Sequence, residues 1–230
     1  MRNVIVQKET STCPISLIGK EAGICWGANT ADDEKNFERG LKCIEDNHGR
    51  TLEYPQIYLV IEGYSAKVIR ELYTHIGGSP TRLQASTRYI NYNNFDFVMP
   101  HSINTKEKQD AFIAAINQTR LSMEQLKSLG VPNEDFTMLL PLCMETKIVL
   151  RTNLRNLVDM SRQRMCNRAY WEFRELFNDI LKVLSGYSFE WNYLINDLKL
   201  FKPKCEELGY CPESKGCGRY EKKQERTKGN

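Results

Sequence analysis

Between His75 and Tyr89 the chain concentrates side chains that a hydrophobic core does not need: His75, Ser79, Thr81, Arg82, Gln84, Ser86, Thr87 and Arg88. Gly77 and Gly78 lie among them, and glycine lets a backbone approach a ligand closely. Hydroxyl, amide and guanidinium groups ahead of an aromatic strand (Tyr89, Tyr92, Phe95, Phe97) suit an anionic, planar, partly aromatic ligand. On composition alone, a solvated surface loop is the alternative. A second cluster comprises Asn153, Arg155, Asp159, Arg164 and Arg168, at or near the start of what reads as a long helix. Arg164 and Arg168 are four apart, so a continuous helix puts them on one face. Beside Trp171, two guanidinium groups there could clamp a phosphate by bidentate hydrogen bonds. A solvated basic face paired with carboxylates such as Glu172 fits the spacing equally well.

Other chemistries find no support. No GxGxxG follows a strand and no GxxxxGK[ST] occurs, so the common dinucleotide and P-loop sites are not indicated. There is no GxSxG elbow for a Ser-His-Asp hydrolase, and three histidines in 230 residues exclude most polyhistidine metal sites. The formal charge is +3, and residues 212–230, with six basic and three acidic side chains, carry all of it. The body is balanced at 26 against 26, which argues against a protein held on nucleic acid by bulk electrostatics. An anionic ligand should then be small and met by a few placed arginines.

No early stretch reads as a secretory signal, and apolar runs such as Ile57 to Ile61 are far short of a membrane span. A soluble cytoplasmic protein is expected. Eight cysteines are too sparse for a disulfide scaffold. Cys205, Cys211 and Cys217 recur at spacings of six, which leaves open a metal site, a redox or packing role, or an incidental tail. Zinc in a closed site takes four ligands, and no histidine follows residue 101.

The elements that must position these groups are read from periodicity. Residues 3–8 form a short strand followed by a polar loop. Ala31 to Asn47 forms a helix with Asp32 and Asp33 at its positive end. Gln56 to Glu62, bounded by Pro55 and Gly63, forms a buried strand, and Ser65 caps the next helix. A longer helix spans about Lys106 to Leu129, stopped by Gly130. Thr146 to Thr152 alternates as a strand, and one long amphipathic helix runs from Asn156 to about Leu184. Lys204 ends the core.

The ordered set of His48 and Glu53, Ser65, the His75, Ser79, Gln84 and Ser86-x-Arg88-Tyr89 loop, Leu139-Leu140-Pro141, Asn153-x-Arg155, and Arg164 with Arg168-Ala169-x-Trp171-Glu172-Phe173 resembles the flavin-dependent thymidylate synthases over about residues 3–185. The resemblance implies an α/β fold of the α+β type, with a mixed or antiparallel sheet packed with long helices. It implies a domain over residues 1–204 followed by a cysteine-containing basic tail over 205–230. It also implies a homotetramer with FAD at subunit interfaces and no membrane or specific nucleic-acid partner. The implied reaction converts dUMP to dTMP, with methylenetetrahydrofolate as one-carbon donor and NADPH as reductant through FAD. By position, His48, Thr74, His75, Ile76, Arg82, Asn153, Arg155 and Asp159 fall at the cofactor. Gln84, Ser86, Thr87, Arg88 and Arg164 fall at the nucleotide, with Ser86, Arg88 and Arg164 in catalytic roles. No cysteine nucleophile and no metal is implied, so Cys143 and Cys166 are packing residues.

Four departures from the family pattern stand out. Thr74-His75-Ile76 replaces Arg-His-Arg, removing two positive charges beside the flavin. The stretch from Ser79 to Ser86 is two residues longer and introduces Arg82, which is expected to fold back and restore part of that charge. Asp159 stands where Asn is usual. Thr137 stands where an arginine is usual, leaving the phosphate to Arg88 and Arg164, with Arg151 or Arg168 to compensate. A relative acting on another uracil nucleotide such as UMP, or a non-catalytic flavin- or nucleotide-binding homologue, are the competing expectations.

Overall fold

The computed structural model describes residues 2–223, so Glu225, Arg226 and Lys228 of the expected basic tail lie outside the described residues. Four strands, β1 (Asn3–Val6), β2 (Gln56–Ser65), β3 (Thr81–Gln84) and β4 (Glu145–Asn153), form one sheet in the order β1-β2-β4-β3. The register is antiparallel throughout. Gln7 N–H donates to the Tyr58 carbonyl and Ser11 N–H to that of Gln56, so one strand index rises as the other falls. Ala66 N–H to Met144 and Leu154 N–H to Pro55 show the same for β2 and β4, and Ala85 N–H to Lys147 ties β3 to β4. Along β2, Ile57, Leu59 and Ile61 are fully buried while alternate residues are half-buried, as the period of two requires. The expected α+β fold is present, and its sheet is antiparallel.

Nine α-helices occur among the described residues: α1 (Pro14–Cys25), α2 (Asp33–Glu45), α3 (Ala66–Leu72), α4 (Lys106–Ser128), α5 (Asn133–Phe136), α6 (Leu154–Arg164), α7 (Trp171–Ser185), α8 (Phe189–Asn192) and α9 (Lys204–Leu208). The cap expected at Ser65 is present, its side chain accepting from Val68 N–H, and Thr105, which the sequence reading does not single out, caps α4 by accepting from Lys108 N–H. Gly130, at φ +82, follows the end of α4.

The described chain divides into two compact units. One comprises residues 2–3, Val60–Thr74 and Arg82–Val149, with a core of Tyr92, Phe95, Ile116, Met123, Phe136 and Met144. The other comprises Val4–Leu59, His75–Thr81 and everything from Leu150 onward. Its α7 buries Phe173, Leu176, Phe177, Ile180, Leu181 and Leu184, a stripe at helical spacing. No helix among the described residues is long and apolar enough to cross a membrane.

Three local expectations are corrected. The polar loop after β1 contains α1, whose start has no side-chain cap from Cys13. The aromatic strand expected over Tyr89–Phe97 is irregular apart from one bridge of Phe97 with Met144, because Tyr92 and Phe95 turn into the core. The single helix from Asn156 to Leu184 is two helices, broken at 165–170, where Tyr170 is extended at ψ 130. Arg164 therefore ends α6 and Arg168 lies in the turn, so they do not share a helical face.

The missing cap on α1 is supplied from α8. Buried Glu190 accepts from the backbone N–H groups of Ile15 (2.6 Å) and Ser16 (3.0 Å), and the Ser16 hydroxyl donates to its other oxygen. A carboxylate satisfying orphan donors at the positive end of a helix is a strong interaction when buried. Glu190→Ala is expected to cost about 3 kcal/mol in denaturant unfolding, and Glu190→Gln, which keeps one acceptor oxygen, roughly half of that.

Candidate active site

In the unit that holds α6 and α7, three side chains distant in sequence converge. Arg164 Nε donates to His75 Nε2 at 2.9 Å, its guanidinium carbon lies 4.4 Å from the centre of the Phe173 ring, and His75 packs on the same ring at 5.7 Å. His75 is buried. Because Nε2 accepts, the imidazole proton of a neutral His75 sits on Nδ1. The ring holds the guanidinium in a plane by a cation–π contact, so charge and orientation are both set before a ligand arrives. Thr74 and Ile76 on either side are exposed; Thr74 donates to the Glu71 carbonyl at 2.7 Å, and Ile76 is 75% exposed.

Gly77 and Gly78 do permit a close approach, but to the protein itself. A Cβ on Gly78, at φ +67, would lie 2.1 Å from Asn153 Nδ2, and one on Gly77 3.1 Å from Asn156 Oδ1. Asn153 is buried and caps α6 through Asn156 N–H at 2.9 Å. The glycine pair thus seats the loop after His75 on the start of α6. Arg151 Nη2 adds a bond to the Ser79 carbonyl at 3.1 Å.

Arg155 pairs with Glu53 at 2.5 Å, and Asp159 pairs with Arg162 at 2.6 Å. Both Arg155 and Asp159 line a cavity of about 600 Å³. Its wall combines apolar Ile44, Leu52, Val158 and Leu200 with cationic Arg50, Arg155, Arg162 and Lys202. Asn47 and Gly49 of the same wall flank His48, which is exposed with its ring 6.3 Å from that of Trp26. A cavity with apolar sides and several cations suits an anionic ligand with an apolar ring system. Burial alone would pull the Arg162 guanidinium down, but Glu207 and Asp159 outweigh it and hold it above its ordinary value. Arg168 pairs with Glu213 at 3.2 Å.

The other unit carries the rest of the signature loop. Ser86 Oγ accepts from Arg88 N–H at 3.2 Å, a local turn that fixes the hydroxyl. Arg88 pairs with Glu134 at 2.7 Å, and Asn133 donates to the carbonyls of Thr87 and Arg88 at 2.8 and 2.7 Å. Asn133 and Glu134 were not anticipated from sequence; they lie some 46 residues away and match no motif. Gln84 donates to the Thr146 hydroxyl at 3.4 Å. The Arg82 guanidinium lies 5.2 Å from the Tyr73 ring, one residue before Thr74. Burial lowers the Arg82 guanidinium from its ordinary value, with Tyr73 opposing. Thr137 is buried and donates to the Asn133 carbonyl at 2.7 Å, so its hydroxyl is already engaged.

These residues come from segments spread along the chain, and residues 9–186 match the family described as thymidylate synthase complementing protein. The chain belongs to the flavin-dependent thymidylate synthase family. It is 34% identical to the flavin-dependent thymidylate synthase of Thermococcus onnurineus over 186 residues, covering 78% of this chain and 74% of that protein. The Pyrococcus abyssi enzyme of the same name is 37% identical over 172 residues, 72% of this chain and 68% of its own. Thymidylate synthase X (ThyX) from Helicobacter pylori, crystallised with FAD and dUMP, shares the fold at a TM-score of 0.66 and 19% identity, over 85% of this chain and 98% of that one.

The eight cysteines are free thiols, with Cys43, Cys205 and Cys211 buried. Burial raises the Cys205 thiol above its ordinary value. No group of three or more His, Cys, Asp or Glu side chains among the described residues is arranged to hold a metal ion.

Proposed function

We propose that this flavin-dependent thymidylate synthase family member converts dUMP to dTMP, with methylenetetrahydrofolate as one-carbon donor, NADPH as reductant and FAD as cofactor. The observation that carries the reading is the Arg164–His75 bond on the Phe173 ring, a preset cation beside a buried imidazole. The 600 Å³ cavity fits FAD in its donor set: apolar walls for a ring system and cations for a diphosphate. FAD, when bound, supplies hydride transfer.

In this reading Arg155 and Arg162 meet the cofactor's anionic part, with Asn153 and His48 beside it. Arg164 polarises the uracil carbonyl, which makes the ring carbon more electrophilic without a cysteine nucleophile. Ser86 and Gln84 orient the base, while Thr87 and Arg88 receive the phosphate. Arg88 must exchange Glu134 for that phosphate, a trade between two bidentate-capable anions. The homotetramer with shared sites belongs to this proposal as well.

The test is mass analysis of products from dUMP, methylenetetrahydrofolate, NADPH and flavin-loaded protein under anaerobic conditions. A product heavier than dUMP by one methylene is expected; its absence across a range of pH defeats the reading. One position favours a second reading: with Thr137 occupied by a backbone carbonyl, the phosphate and sugar are gripped by fewer groups. UMP in the same assay decides that point, and UMP turned over in preference to dUMP would replace dUMP as the substrate.

A further inference from the structure

The family match ends at residue 186, yet Leu200, Lys202 and Glu207 beyond it help to wall the 600 Å³ cavity. The connection is made through one guanidinium. Arg162 Nε donates to both carboxylate oxygens of Glu207, at 2.8 and 3.0 Å, while its Nη1 donates to Asp159 at 2.6 Å. Two carboxylates thus fix the plane of the group, and its Nη2 makes no hydrogen bond among the described residues. Both partners are largely shielded: the side chains of Arg162 and Glu207 are 35% and 26% exposed. Further ties run from the same C-terminal segment to the turn after α6. Arg168 meets Glu213 at 3.2 Å, and Arg219 reaches the Met165 carbonyl at 3.5 Å. Each is weak alone, but they hold one segment against one turn.

We infer that Glu207 is a positioning residue of the cofactor site, presenting Arg162 as an oriented cation to the diphosphate of the flavin dinucleotide. The C-terminal segment is then a wall of the site and not an appendage to it. The inference rests on the reading that the cavity takes FAD.

The sign of one substitution separates positioning from simple electrostatics. Glu207 is itself negative, so if it acted only as a charge, its neutralisation would strengthen the binding of an anion. If it acts by orienting Arg162, neutralisation weakens binding. The experiment titrates full-length protein with FAD and with riboflavin, which lacks phosphate, following flavin fluorescence, and records thermal melting of each variant. Glu207→Gln is expected to weaken FAD about tenfold while changing riboflavin less than about twofold. Arg162→Lys is expected to do the same, because an ammonium cannot serve two carboxylates in one plane and still point at a third anion. Unchanged or tighter FAD binding by both variants overturns the inference. Equal loss of FAD and riboflavin also overturns it, since that marks a merely structural role. Wild-type protein that binds no FAD overturns the cofactor reading and the inference with it.

Discussion

Arg164→Ala is expected to lower dTMP formation by about a hundredfold or more at saturating dUMP, with little change in stability. The size follows from the role proposed for the group: removing one preset donor from a developing negative charge typically costs two to three orders of magnitude. The local structure concentrates that effect here. Thr74 and Ile76 flank His75 without charge, so Arg164, 2.9 Å away, is the cation bonded to the imidazole. Stability should change little because Arg164 is the last residue of α6 and only half-buried. Arg164→Lys is the informative companion. An ammonium keeps the charge but cannot lie flat on Phe173 while bonding to His75, so an intermediate loss of roughly tenfold in kcat is expected. Single-turnover product formation measures both. A rise in KM with kcat unchanged would show that Arg164 contributes only uniform binding.

What the sequence makes legible is local. Ser65 caps α3 because a cap needs only its own hydroxyl and the amide three residues on. The alternation in β2 is likewise visible residue by residue. The break between α6 and α7 is not, because residues 165–170 contain neither proline nor glycine to mark it. The site was legible as residue types and not as partnerships. By position His75 falls at the cofactor and Arg164 at the nucleotide, yet they bond to each other across 89 residues. Glu134 beside Arg88 and Glu207 beside Arg162 carry no local signature, since any exposed acid reads the same in sequence. Arg82 does fold back toward the residue preceding Thr74, onto Tyr73. Its effect on flavin binding is a separate question that Arg82→Ala addresses.

Gly19→Ala is expected to have the largest effect on stability, about 4 kcal/mol or a fall of roughly 10 °C in Tm. Gly19 weakens the helical signal of α1 in sequence, and in the structure the same position tolerates no side chain. Glycine inside a helix ordinarily argues against the helix, and replacing it by alanine gains about 1 kcal/mol in propensity. Here a Cβ on Gly19 would lie 1.8 Å from the Asn36 carbonyl oxygen, and one on Gly40 2.0 Å from that of Ile15. Both neighbours are helical backbone, so α1 and α2 touch without intervening side chains, and neither can yield by rotating a torsion. The helices must separate, opening a gap around fully buried Ile15, Ile18 and Cys43. Two controls isolate the cause. Gly27, at φ +66 with nothing near its Cβ position, should cost only the left-handed backbone penalty of about 1 kcal/mol when changed to alanine. Gly186, at φ −80 with only ordinary contacts, should be neutral or slightly stabilised. Because α2 leads through Ile44 and Asn47 into the cavity wall, Gly19→Ala should also weaken FAD binding, whereas Gly27→Ala should not.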